Sequence, residues 1–101
     1  MLTVIYEETR TNTDHEWWHF TPEVQSWLDP FEKEMIDKGV MISCVNKVSE
    51  DGLTFIRTSI FETREQLISL YTQIPYFDYQ QQRSQYNAIY MHTAISDEIE
   101  S

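Results

Sequence analysis

Residues 40–61 read VMISCVNKVSEDGLTFIRTSIF. In the first half Val40, Ile42, Cys44 and Val48 fall on one side of an extended chain. In the second half Thr54, Ile56, Thr58 and Ile60 alternate against Leu53, Phe55, Arg57 and Phe61. A period of two is the strand period. Between the halves Glu50-Asp51-Gly52 supplies a turn, because glycine takes the positive φ that tight hairpins need. The stretch therefore predicts a β-hairpin, and the rest of the chain is read around it.

Upstream, Leu2 to Arg10 predicts another strand, with Leu2, Val4 and Tyr6 on one face and Thr3, Ile5 and Glu7 on the other. Thr13 and Glu16 have capping-box spacing, which predicts a short helical turn over 14–20. Thr21-Pro22-Glu23 starts a longer helix over about 22–38, with Val24, Trp27, Leu28, Phe31 and Met35 as its apolar stripe. Asp29-Pro30-Phe31-Glu32 repeats the start signal, so a kink or break is expected there. Gly39 is expected to close the helix in a left-handed conformation.

Downstream, Thr63 with Gln66 starts another helix, whose buried face is Leu67, Leu70, Tyr71 and Ile74. Pro75 interrupts it, and Asp78 with Gln81 can cap a restart. Residues 86–95 fit either a helix or a last strand; the good helix formers at 80–85 favour helix. The acidic tail from Ser96 to Ser101 is expected to fray.

The order is strand, helix, strand, strand, helix, with an uncertain final strand. That is an α+β arrangement with helices on one face of an antiparallel sheet. One hundred and one residues make a single domain, residues 1–101. Seventeen acids against seven bases give a formal charge of −10. Such a surface repels phosphates, so neither nucleic acid nor an anionic membrane is an expected partner. No apolar run is long enough to span a bilayer, and the N-terminus lacks the basic and apolar regions of a signal peptide. A cytoplasmic protein is expected. Cys44, the one cysteine, reads as a small buried hydrophobe.

The turn Ser49-Glu50-Asp51-Gly52-Leu53-Thr54, followed by Phe61 and a helix start at Thr63, resembles the dimeric α+β barrel superfamily. That group includes the antibiotic-biosynthesis monooxygenases. The resemblance implies ferredoxin-like subunits that pair their sheets as homodimers. It implies activities ranging from cofactor-free oxidation to haem degradation to none, with catalytic residues that differ between branches. The chain is also similar to small proteins encoded by phages of marine cyanobacteria.

Among the residues, His15-Glu16-Trp17-Trp18-His19 fits H-E-x-x-H, the zinc-hydrolase signature in which two histidines share a helix face. Thr21-Pro22 allows barely two turns of helix there. Pro22 and Gln25 stand where the extended motif has glycine and a third histidine. The match is therefore read as accidental, with His15 and His19 as weak metal candidates only.

Trp17, Trp18, Phe20 and Trp27 crowd one short segment. They read as core or dimer packing, or else as the lining of a ligand pocket. Tyr86 and Tyr90 belong to a second aromatic set with Tyr76, Phe77 and Tyr79, which reads as helix-to-sheet packing with phenol groups at the rim. Under a monooxygenase reading this set and Asn87 or His92 would touch a planar substrate; His92 alone reads as a surface or rim histidine. Glu7, Glu8, Arg10 and Arg57 read as cross-strand charge pairs of small worth.

The leading expectation is a homodimeric binding or accessory domain without catalysis and without a cofactor. Its partner would be a protein or a small aromatic ligand. The alternative is a cofactor-independent, monooxygenase-like enzyme, and a small zinc hydrolase is third.

Overall fold

The computed structural model describes residues 1–101, apart from the side chain of Ile74. Its elements are β1 (Leu2–Thr9), a 3-10 turn (Trp18–Phe20), α1 (Pro22–Asp37), β2 (Ser43–Val48), β3 (Thr54–Phe61), α2 (Arg64–Tyr71), α3 (Ile74–Tyr90) and β4 (Thr93–Glu100). The strands form one antiparallel sheet in the order β2-β3-β1-β4. Both β1 and β4 enter beside strands remote in sequence, which is the ferredoxin-like arrangement.

The hairpin forms around Gly52, at φ 74°. Asp51 fixes the turn with its carboxylate, which accepts from Ser49 Oγ (2.6 Å) and from the Leu53 amide (3.0 Å). Those bonds hold the Asp51 carboxyl below its ordinary pKa, the Ser49 bond foremost. β2 starts later than its pattern predicts. Met41, not Ile42, is the buried residue beside Val40, because the chain is still leaving α1 at that point.

α1 runs unbroken through Pro30, contrary to the expected kink or break. Val24, Leu28, Phe31 and Met35 press its inner face into the core, and that packing holds the turn whose hydrogen bond proline removes. Gly39 does close the helix at φ 76°. Thr21 does not cap it: its hydroxyl donates back to Trp18 O at 2.8 Å. The turn expected over 14–20 shrinks to the 3-10 turn. Thr63 caps α2 by accepting from the Gln66 amide. Pro75 sits in the first turn of α3, which then continues without the restart expected at Asp78. Ile74, placed by its spacing on the buried face of α2, lies outside the described side chains.

The C-terminal end departs most from expectation. Helix ends at Tyr90, Met91 turns the chain at φ 60°, and residues 93–100 form β4 rather than continuing the helix or fraying. Ladder pairing with the whole of β1 overrides the helix propensity of the preceding residues. Arg64 ties β4 to α2 through Glu98 (2.6 Å) and Glu100 (2.9 Å).

Leu2, Val4, Tyr6 and Glu8 of β1 and Phe55, Arg57 and Phe61 of β3 face the helices and are buried. Cys44 also turns into this core, and burial pushes its thiol up to about 12, so it stays protonated and unreactive. No helix covers the other face. There the register lays out three rows: Ser43-Ile60-Thr3-Ile99, Val45-Thr58-Ile5-Asp97 and Lys47-Ile56-Glu7-Ile95. Val45, Ile95 and Ile99 are more than half exposed on it.

Candidate functional site

The strand period puts Tyr6 and Glu8 on the same face of β1, pointing under α3. Glu8 is wholly buried, and Tyr6 OH donates to its Oε1 at 2.7 Å. Tyr6 OH in turn accepts from Asn87 Nδ2 at 3.2 Å. Glu8 Oε2 and Asn87 Oδ1 find no partner among the described residues. Burial holds the Glu8 carboxyl above its ordinary pKa, with the Tyr6 bond opposing, and burial likewise raises the Tyr6 phenol.

One helical turn before Asn87, Arg83 lies over the Tyr6 ring, its Cζ 4.1 Å from the centroid. Its Nη1 donates to Tyr79 OH at 2.9 Å. Tyr79, four residues earlier on α3, is fully buried and also meets His19 Nε2 at 3.0 Å. Burial holds His19 well below the ordinary imidazole value, with Arg57 and Arg83 adding to it, so His19 is neutral. Across the layer Arg57 pairs with Glu32 of α1 and donates to Asn46 Oδ1 at 3.0 Å. Tyr6, Arg57, Tyr76, Tyr79 and Arg83 surround a cleft of about 30 Å³ that reaches Ser96 on β4.

This centre combines a cation stacked on aromatic faces, a phenol and a carboxyl behind the phenol. It can hold an acidic oxygen at Arg83 and pass a proton from Tyr6 toward Glu8. Asn87 was singled out in the sequence. Glu8, His19 and Arg83 were not assigned to such a centre, and their only local signal was a charge or an imidazole on the apolar face of its element.

The six aromatic candidates do not form one site. Trp17 is buried against Phe55, with Arg10 stacked 4.1 Å above it, and Phe20 packs edge-on against the same Phe55. Trp18, Trp27 and Tyr86 line a separate open cleft of about 290 Å³ between α1 and α3. Tyr90 stacks on His15 at 4.2 Å.

The H-E-x-x-H helix does not form, and its histidines part. His15 Nε2 meets His92 Nε2 at 2.8 Å, while His19 turns inward to Tyr79. One ring of the His15–His92 pair donates and the other accepts. Burial lowers His92 below its ordinary value, with His15 and Arg10 contributing. Among the described residues no three histidine, cysteine or carboxylate side chains are placed to hold a metal ion. The expected cross-strand charge pairs do not form either: Glu8 is buried with Tyr6, Arg57 reaches α1, and Arg10 Nε donates to Gly52 O at 2.9 Å.

Among the described residues no helix is long and apolar enough to cross a membrane. No protein-family model matches the sequence, and no curated protein does. Solved structures do match. A candidate antibiotic biosynthesis monooxygenase from Deinococcus radiodurans superposes with a TM-score of 0.64 at 8% identity, covering 100% of this chain and 92% of that one. Rv0793 from Mycobacterium tuberculosis superposes with a TM-score of 0.59 at 13% identity, covering 100% and 95%. At such identities the likeness concerns backbone and carries no residue roles. The chain has a ferredoxin-like α+β fold, the backbone arrangement it shares with these two solved structures.

Proposed function

We propose that the chain acts as a homodimeric binding or accessory domain, pairing the uncovered sheet faces of two copies. The observation that carries this reading is the row pattern of that face. Isoleucine or valine recurs on all four strands, and such a surface is left bare only where something covers it. The cleft under α3 supports a non-catalytic role. At about 30 Å³ it has room for one water and not for a substrate. Light scattering at about 100 µM should give twice the chain mass. Ile5→Glu, at the centre of the face, should give a monomer with an unchanged circular dichroism spectrum. A parent protein that is monomeric at that concentration refutes the reading.

One observation favours a second reading, cofactor-independent oxidation of a small phenol or enol. The Tyr6 phenol and the buried Glu8 carboxyl form an acid–base pair beside the Arg83 cation, and the Deinococcus neighbour is described as a candidate monooxygenase. In this reading a hydroquinone displaces Arg83 from the cleft, Glu8 as carboxylate receives its first proton through Tyr6, and dioxygen takes the two electrons and, in the end, both protons, leaving as hydrogen peroxide and giving the quinone. Oxygen uptake with a panel of hydroquinones, lost in Arg83→Gln and Glu8→Gln, is the expected result. No uptake above buffer leaves the non-catalytic reading in place.

A further inference from the structure

α1 and α3 present facing stripes. On α1, Thr21, Glu23, Val24 and Trp27 follow one side of the helix. On α3, Pro75, Asp78, Gln82 and Tyr86 recur at three- and four-residue spacing. Between the stripes runs a groove in two halves, of about 290 and 280 Å³, joined where Trp27 and Gln82 border both. These halves reach the lower end of small-ligand pockets, whereas the cleft under α3 is far below it.

The wall chemistry is specific. Trp18 and Trp27 stand 6.5 Å apart between centroids with their rings at 69°, edge to face; Trp18 is buried and forms the floor of this half, while the half-buried Trp27 presents its ring to the groove. Tyr86 closes the third side of that half. Its hydroxyl is occupied, donating to Glu16 O, which fixes the ring. Glu23 lies at the rim of one half and Asp78 at the rim of the other, and no lysine, arginine or histidine lines either. Aromatic faces carry negative potential, and with carboxylates at the rim they favour a positive guest. An anion would meet repulsion from both, on a chain already at −10.

We infer that the groove between α1 and α3 binds a small organic ammonium ion, its charged head in the Trp18–Trp27–Tyr86 half and its near carboxylate Glu23. The groove lies on the helix layer, on the opposite side of the molecule from the open sheet face. The site therefore stands whether or not two copies pair.

The test is titration calorimetry with choline and with 3,3-dimethylbutan-1-ol, which has the same shape without the charge. Choline should bind with about tenfold or greater preference over the alcohol, and added salt should weaken it. Trp27→Leu should lower choline affinity about tenfold. Glu23→Gln, at an exposed position that bears no packing, should weaken it several-fold with the thermal midpoint unchanged. That second variant keeps the test sharp if loss of Trp27 disturbs the fold. Equal affinity for the two probes would reduce the groove to a plain apolar surface. No heat from choline at millimolar concentration, or full affinity in Glu23→Gln and Trp27→Leu, would overturn the assignment.

Discussion

Glu8 shows how one residue can work against the fold that holds it. Its carboxyl is buried, keeps one oxygen without a partner, and has its pKa raised mainly by burial. Unfolded, the group ionises near about 4.3. An acid whose folded pKa is raised binds more protons folded than unfolded, so stability falls as pH climbs from the unfolded value through the folded one. Glu8→Gln cannot ionise and should therefore be more stable than the parent at pH 7, with the difference shrinking as pH falls toward about 4.3. It should also flatten the decline of the urea midpoint above pH 4.3. His19 has the opposite sign. Its folded pKa is lowered, so the unfolded chain takes up the proton first and stability is lost as pH falls below about 6.5. Urea midpoints at pH 7.5 and 5 should differ less in His19→Gln than in the parent. Neither effect was legible in the sequence. Tyr6 and Glu8 were readable as i and i+2 on a strand, but α3 brings Arg83 and Asn87 over them from more than 70 residues away.

Among the elements, the hairpin was the most legible because its information is local: two alternating arms and one glycine. Gly52 has positive φ, and a β-carbon there would stand 3.2 Å from Thr13 Cγ2. Gly52→Val should cost about 1 kcal/mol or more. Gly39 has a similar φ with open space around it, so Gly39→Ala should cost about 1 kcal/mol and no more. Equal losses in a thermal melt of the two variants would mean that the Thr13 contact relaxes freely. β4 was not legible, because its alternation (Thr93, Ile95, Asp97, Ile99) is diluted by acids and it follows a helix with no glycine or proline between them. Met91 makes that turn in a conformation glycine usually supplies. The first helix misled in the other direction: Asp29-Pro30 is a sound local stop signal, overridden by the core contacts of Leu28 and Phe31 on either side of it.

At the scale of the whole molecule, composition argued against nucleic-acid and anionic-membrane partners, which nothing in the fold tests, and the order of elements identified the fold class. The distribution of surface was visible only in part. The open-face residues Ile5, Ile56 and Ile60 were readable from period two, but which face the helices would cover is a three-dimensional fact. If two copies pair there, each brings a formal charge of −10. Glu7 and Asp97 lie within the face itself, beside a single Lys47. Burial then works against long-range repulsion, and salt screens only the repulsion. The dimer should tighten between 20 and 300 mM sodium chloride, as sedimentation velocity would register. A dimer that loosens over that range would be held by ion pairs instead of by isoleucine.

The position of β1 in the sheet has a consequence in time. It is made before the other three strands of the sheet, yet it lies between β3 and β4, and its partners on one side are residues 93–100. Until those are made, one flank of the central strand offers unpaired N–H and C=O groups to any neighbouring nascent chain. With residues 1–92 made, the domain can have its hairpin, its helices and three of its four strands. The sheet is completed only by β4, and such distant pairing is slow to find. Residues 1–92 already carry fourteen acids against seven bases, so like charges keep unfinished copies of the chain apart during that delay.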